Sequence, residues 1–275
     1  RKSARRRSAH GDGRIMERVE GPGVARTPIT VRHCATLEEY EECVRLQLIT
    51  WGEDLVVPSG LFVVARETGG QTLGAFAGNQ MVGFTLGLAG IHEGKPIIHS
   101  HMTAVLAEFR DRGIGRMLKL AQRNDCLSRG IHLVEWTFDP LELKNAHFNI
   151  NRLGAVVKRY IPNCYGVTES PLHAGLPTDR FVAEWYLDSP RVAAILRGET
   201  PKTSATAVRV TIPQDISARK QVEPAAGARV QSEMREQFLD YMKKGYVITG
   251  LEIGPKEASY VLEEESQIAS QIAAK

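Results

Sequence analysis

The stretch Thr103-Ala104-Val105-Leu106-Ala107-Glu108-Phe109-Arg110-Asp111-Arg112-Gly113-Ile114-Gly115 decides how the chain is read. An apolar strand ends near Val105, a short turn follows, and a glycine-marked loop opens a helix at Gly113. Ile114, Met117, Leu118 and Ala121 recur at helical spacing, which predicts that helix. A helix start reached through glycines suits a polyphosphate. The first-turn N–H groups lack partners, the macrodipole is positive there, and glycine lets an anion approach the backbone. Arg110, Arg112 and Arg116 add guanidinium groups able to meet phosphate oxygens as a fork. The competing reading is a strand–turn–helix connection whose glycines only permit close packing. The strand, the arginine spacing and the helix fall in register, and that favours the phosphate reading.

The order Arg-x-x-Gly-x-Gly after a strand resembles the coenzyme A pyrophosphate loop of the GNAT superfamily of N-acetyltransferases. Ala104-Val105 matches the hydrophobic dipeptide that ends the family's central strand, and Glu108-Phe109-Arg110 matches the turn that follows. The resemblance implies that Ala104, Val105, Arg110, Arg112, Gly113, Ile114, Gly115 and Arg116 bind the cofactor. It implies acetyl-CoA or another acyl-CoA as co-substrate, and no metal.

Composition narrows the partners. The formal net charge of +3 hides an asymmetry: residues 1–15 hold six basic residues against Asp12 alone, so they carry +5 and the remainder carries −2. The part expected to fold therefore has no nucleic-acid footprint. The basic arm, with almost no apolar residues and Gly11-Asp12-Gly13, is expected to be disordered. It reads as a nucleic-acid-binding tail or as sequence upstream of a start at Met16, and the second, plainer account is preferred. No apolar run reaches the roughly 18 residues that a membrane span needs, and nothing resembles a signal peptide. Cys34, Cys43, Cys126 and Cys164 form no C-x-x-C pair, so neither a zinc site nor a disulfide framework is expected, and a reducing cytoplasm fits.

Ile29 to Cys34 alternates as a first strand, and Thr36 with Glu39 forms a capping box for a helix to about Trp51. Gly60 to Glu67 reads as a second helix, although Val63-Val64 also suits a strand. Thr72–Ala77 and Met81–Leu88 flank Gly78-Asn79-Gln80 as a hairpin. A polar loop with Gly94 and Pro96 leads to the central strand, Ile97 to Val105. After the glycine loop and its helix come a strand from Ile131 to Phe138, a helix over 141–153 that stops at Gly154, a strand through Val156-Val157, and a strand from Arg180 to Leu187. The pattern alone gives a mixed α/β domain, an α+β arrangement on a mixed sheet. The element order over roughly 29–188 resembles the GNAT fold from end to end.

Past that unit, 189–204 reads as a short helix, with Ser189 as N-cap, Pro190 at N1 and Gly198 closing it, and a linker. Residues 205–264 read as a small α/β appendage with strands at 208–212, 246–253 and 259–262 and a helix through Val230, Met234, Phe238 and Tyr241. It is too small for a generous core and is expected to pack on the main domain. Residues 265–275 are expected to be a frayed helix or disordered, and 1–28 form the basic arm.

Acetyl transfer to an amine needs a neutral amine, a polarised thioester carbonyl and a proton for the leaving thiolate. By resemblance, a backbone N–H near Ala104 or Val105 binds the carbonyl. Where the family commonly places its basic Glu, this chain has His99, with His101 two residues on and so on the same strand face. A histidine near its reference pKa of about 6.5 suits proton abstraction at neutral pH. Asp139, at the end of the next strand, is the further catalytic candidate. The bland alternative for the histidines is hydrogen-bonded support of a half-buried strand.

The following helix departs from the family. Many members carry a Tyr four residues before the terminating Gly, as acid for the thiolate; here Ile150 stands there. Asn145, His147 and Asn149 are the polar groups this helix offers, and Asn145 and Asn149 should share a face. With Tyr165 they are the candidates for acceptor binding, against a plainer role in capping. Tyr160 or Tyr165 could replace the missing acid. The run Trp136-Thr137-Phe138-Asp139-Pro140-Leu141, with Asn145 to Asn149 and His99-Ser100-His101-Met102, resembles a little-described GNAT subgroup whose substrates the resemblance does not imply. The leading reading is an acyltransferase moving an acetyl or other acyl group to an amine of a small-molecule or amino-acid-like acceptor. The alternative is a non-catalytic acyl-CoA sensor or partner-binding module. No membrane or nucleic-acid partner is expected, and homodimerisation is left open.

Overall fold

A computed structural model describes residues 27–53, 56–166 and 174–273. The basic arm, up to residue 26, lies outside the described residues. The N-terminal part runs β1 (Ile29–His33), α1 (Leu37–Trp51), α2 (Ser59–Glu67), β2 (Gln71–Ala77), β3 (Gln80–His92), β4 (Lys95–Val105), α3 (Ile114–Ser128), β5 (Leu133–Phe138), α4 (Leu143–His147), β6 (Val156–Ile161) and β7 (Arg180–Tyr186). This is the element order read from the sequence. The capping box at α1 forms: Glu39 N–H donates to Thr36 Oγ1, and Ala35 and Thr36 N–H donate to the Glu39 carboxylate. The stretch around Gly94 and Pro96 is no loop. Glu93 and Gly94, both at positive φ, make a two-residue turn, and β3 and β4 pair as far as His92 and Lys95.

α1 and α2 cover one face of β2–β4, where Leu46 and Phe62 meet Phe84 and Leu86. α3 covers the other, setting Ile114 and Leu118 against Leu73, Ala75 and Val82. The sheet is antiparallel from β1 to β4, but β4 and β5 run parallel. They pair only at Ile98–Val134 and His99–Glu135. Beyond these residues the strands part into a fork that opens toward their C-terminal ends.

The helix read over 141–153 is α4 followed by a π turn, Phe148–Arg152, and it stops at Gly154 with φ +86. α5 (Pro190–Leu196) carries the expected cap, Val192 N–H donating to Ser189 Oγ. The remaining elements are β8 (Val208–Pro213), α6 (Ile216–Val222), α7 (Pro224–Lys243), β9 (Tyr246–Ile253), β10 (Glu257–Glu264) and α8 (Glu265–Ile272). They continue the same sheet, in the order β1-β2-β3-β4-β5-β7-β6-β9-β10-β8. Tyr160 and Phe181 from the N-terminal part and Phe238 and Tyr260 from the C-terminal part form one aromatic cluster with ring centroids 4.9–6.0 Å apart. The last segment is not frayed over 265–272. α8 buries Ile268 and Ile272 against Val156 and Val247, so its apolar face holds it down.

Candidate active site

The loop after β4 stands at the mouth of the fork. Gly113 has φ +77, a conformation that only glycine adopts without strain. A Cβ at Gly113 or at Gly115 would meet no atom within 4 Å. Close packing is therefore not what these glycines serve; they leave open space above the first turn of α3. No side chain caps that turn, and its N–H groups remain for another partner. Arg110 folds back, its Nε donating to Val105 O at 3.2 Å. Arg112 lies 4.8 Å over the Phe109 ring. Arg116, in the first turn, makes no hydrogen bond or ion pair among the described residues. It lines a cleft of about 400 Å³ with His147, Arg152 and Lys202.

Within β4 the register slips: Leu86 pairs with Met102 and Gly87 with Ser100, so His101 forms a β-bulge. The His99 and His101 rings stay 6.2 Å apart, on one face as expected. Burial, then His101, Lys119 and Arg159, push His99 down to about 4. It is neutral at pH 7, but it is not the near-neutral base that an exposed histidine would be. His101 is the more exposed of the two, and partial desolvation lowers it as well. Beside His99 on β5 lies Glu135, a buried carboxylate that the sequence reading passed over. Arg159 donates to its Oε2 at 3.1 Å, and His92 Nδ1 lies 2.7 Å from its Oε1. The available signal was a lone Glu in the apolar run Leu133-Val134-Glu135-Trp136, at a place in a central strand where a carboxylate is rarely buried without a partner.

The other polar candidates do not gather at one point. Asp139 is committed: its Oδ1 accepts Leu141 N–H at 2.8 Å, and its Oδ2 pairs with Lys220 Nζ at 2.9 Å. Burial pulls Lys220 down, but Asp139 and Glu142 outweigh it and hold the ammonium above its ordinary value. Asn149 Nδ2 donates to Asn145 Oδ1 at 3.3 Å, on one helix face as expected, and Asn149 is buried. His147 faces the cleft beside Arg116, lowered by burial and then by Arg152. Tyr165 is exposed, and its hydroxyl lies 2.8 Å from Thr137 Oγ1 on β5. Tyr160 is unsuited to serve as the acid: it is buried, its hydroxyl donates to Asp179, and burial raises its pKa. Ile150 is fully buried in the core. Among the described residues no group of three His, Cys, Asp or Glu is placed to hold a metal, and no helix is long and apolar enough to cross a membrane.

No protein-family model and no curated protein matches the chain. Solved structures with a partial likeness to the chain include acetyltransferases. A putative acetyltransferase from Salmonella typhimurium, with its cofactor acetyl-CoA, shows 15% identity and a TM-score of 0.48, over 65% of this chain and 99% of its own. The ribosomal-protein-S18-alanine N-acetyltransferase from Escherichia coli shows 12% identity and a TM-score of 0.47, over 58% of this chain and 94% of its own. A GNAT-family acetyltransferase from Streptococcus pneumoniae shows 14% identity and a TM-score of 0.47, over 57% and 98%. At such identities and TM-scores the likeness assigns no residue a role.

Proposed function

We propose that the chain is a GNAT-type acyltransferase that moves an acetyl or other acyl group from coenzyme A to an amine of a small-molecule or amino-acid-like acceptor. One observation carries this reading. The start of α3 is uncapped, its glycines pack against nothing, and it follows the end of β4, past the point where two parallel strands part. Ligands of open sheets favour the carboxyl ends of strands at such a break in pairing. In this reading the first-turn N–H groups of α3, with Arg110, Arg112 and Arg116, hold the pyrophosphate. The backbone at Ala104 and Val105, at the end of β4, flanks the pantetheine arm, which runs down the fork and sets the thioester at its apex beside His99 and Ser100.

On the other face of the fork, His99, His101 and Glu135 line the acceptor side. With its pKa near 4, His99 is always available to accept a proton, but weakly, so it serves best by orienting the amine or a water. Asp139 keeps a structural role in this account, because its carboxylate is already shared between a backbone amide and Lys220.

The alternative is an acyl-CoA-binding module without turnover, which the core position of Ile150 favours. Release of free thiol from acetyl-CoA, followed over a panel of primary amines and amino acids, separates the two. Amine-dependent release is the expected result. Tight binding of coenzyme A with no release for any amine selects the module.

A further inference from the structure

Lys119 projects from α3 to the apex of the fork. Ser100 and Trp136 are the first residues on β4 and β5 beyond the last pair, His99–Glu135. The Lys119 ammonium sits between them. Nζ donates to Ser100 Oγ at 2.6 Å and lies 4.1 Å from the centroid of the Trp136 ring. A third contact is to Gln122 Oε1 at 3.2 Å. The lysine is only 4% exposed, and among the described residues no carboxylate pairs with it. The titratable groups that reach it are His99 across β4 and Cys126 on its own helix.

Such a site is costly, and the fold does not need it. A buried amine without a counter-ion sits where a leucine would pack. The polar pocket around it is incompletely satisfied as well: Gln122 Nε2 and Gln71 Oε1 are buried without partners. Burial brings the lysine down to about 7, so near neutral pH it can hold or release a proton. An ammonium only donates. Ser100 Oγ must therefore accept from Lys119, which leaves the Ser100 O–H free to donate elsewhere.

We propose that Lys119 and Ser100 together supply the proton that the leaving thiolate requires, the role left open by Ile150. The inference rests on the acyl-CoA reading above. As the amine nitrogen bonds to the acyl carbon, the C–S bond breaks and its electron pair stays on sulfur. Sulfur takes the Ser100 proton, and Ser100 Oγ takes one from the Lys119 ammonium, which becomes a neutral amine. The proton lost by the acceptor nitrogen passes to His99 or to water, and Lys119 is recharged from solvent before the next turnover. Ser100 is thus the catalytic residue, and Lys119 the residue that positions and recharges it.

The test needs no acceptor. Coenzyme A itself is titrated while bound to the full chain, and its thiolate is followed by ultraviolet absorbance. The complex with desulfo-coenzyme A is subtracted to remove the protein's own tyrosines and cysteines. Thiol and lysine titrate as a pair, so a donor and cation at the sulfur bring the thiolate in early. It should appear about one pH unit lower in the wild type than in Lys119→Met, and Ser100→Ala should move the curve the same way. Lys119→Met removes the charge without emptying the site, and Ser100→Ala keeps the lysine, so one of the pair reports even if the other fails to fold. Coenzyme A bound by all three proteins with superimposable thiolate curves overturns the proposal and leaves the acyl-CoA reading standing. A wild type that binds no coenzyme A removes that reading and the proposal with it.

Discussion

At the end of β4 the chain enters α3 through Asp111 and Gly113, both at positive φ, and the helix begins without a side-chain cap. At the end of β5 it enters α4 through Asp139, whose two oxygens are taken by Leu141 N–H and by the Lys220 ammonium. Both crossings put polar residues where a strand hands over to a helix. The first leaves its donors unspent and faces open space. The second is a joint, closed by the C-terminal part of the chain. A junction built for a ligand is recognised by what it leaves unsatisfied, not by how polar it is.

Asp139→Ala gives the largest expected effect and the hardest test of this contrast. The Lys220 side chain is 1% exposed, and the loss leaves it only Glu142. Breaking a buried pair costs about 3–5 kcal/mol where the charge is left alone, and the remaining Glu142 keeps the loss at the lower end of that range. A clear fall in melting temperature with coenzyme A affinity unchanged is the predicted result. An unaltered melting temperature together with lost acyl transfer would move Asp139 into the active site and erase the contrast.

Next comes Arg110→Ala, on the open side. It should weaken coenzyme A binding by about 1.5–3 kcal/mol, the cost of a charge-assisted contact, and leave the melting temperature nearly unchanged. A stability loss without an affinity loss would make the arginine a clasp on Val105 and nothing more.

The smallest effect concerns His99. Its folded pKa of about 4 lies below the ordinary 6.5, so the unfolded chain binds the extra proton in that window. The stability involved is fully present above about 6.5 and is lost as pH falls toward 4. Thermal unfolding of His99→Gln across this range should show a shallower acid slope than the wild type. Equal slopes would mean that the ring is not held neutral by its surroundings.

How far the sequence alone carried can be judged from particular elements. The Gly113 loop, the α1 capping box and the Ser189 cap rest on local chemistry, and each lies where its residues placed it. The fork could not be read that way, because the parting of β4 and β5 depends on pairing between distant strands. Lys119 was hidden for a related reason. On a helix with Ile114, Met117, Leu118 and Ala121 at apolar spacing it passes for a solvated charge, and only the packed sheet shows that it points inward. The pairing of Asp139 was equally hidden, since its partner Lys220 lies 81 residues away. The π turn after α4 likewise left no local mark, beyond the Gly154 that ends it.

Calorimetric titration of coenzyme A into the wild type and Gly113→Val tests the central claim most directly. Valine at φ +77 is strained, and its side chain would occupy the space that the first-turn N–H groups of α3 face. The account predicts binding to the wild type and loss of measurable binding to a variant that keeps its fold, as judged by circular dichroism. Equal affinity for both would place the cofactor elsewhere and contradict the account.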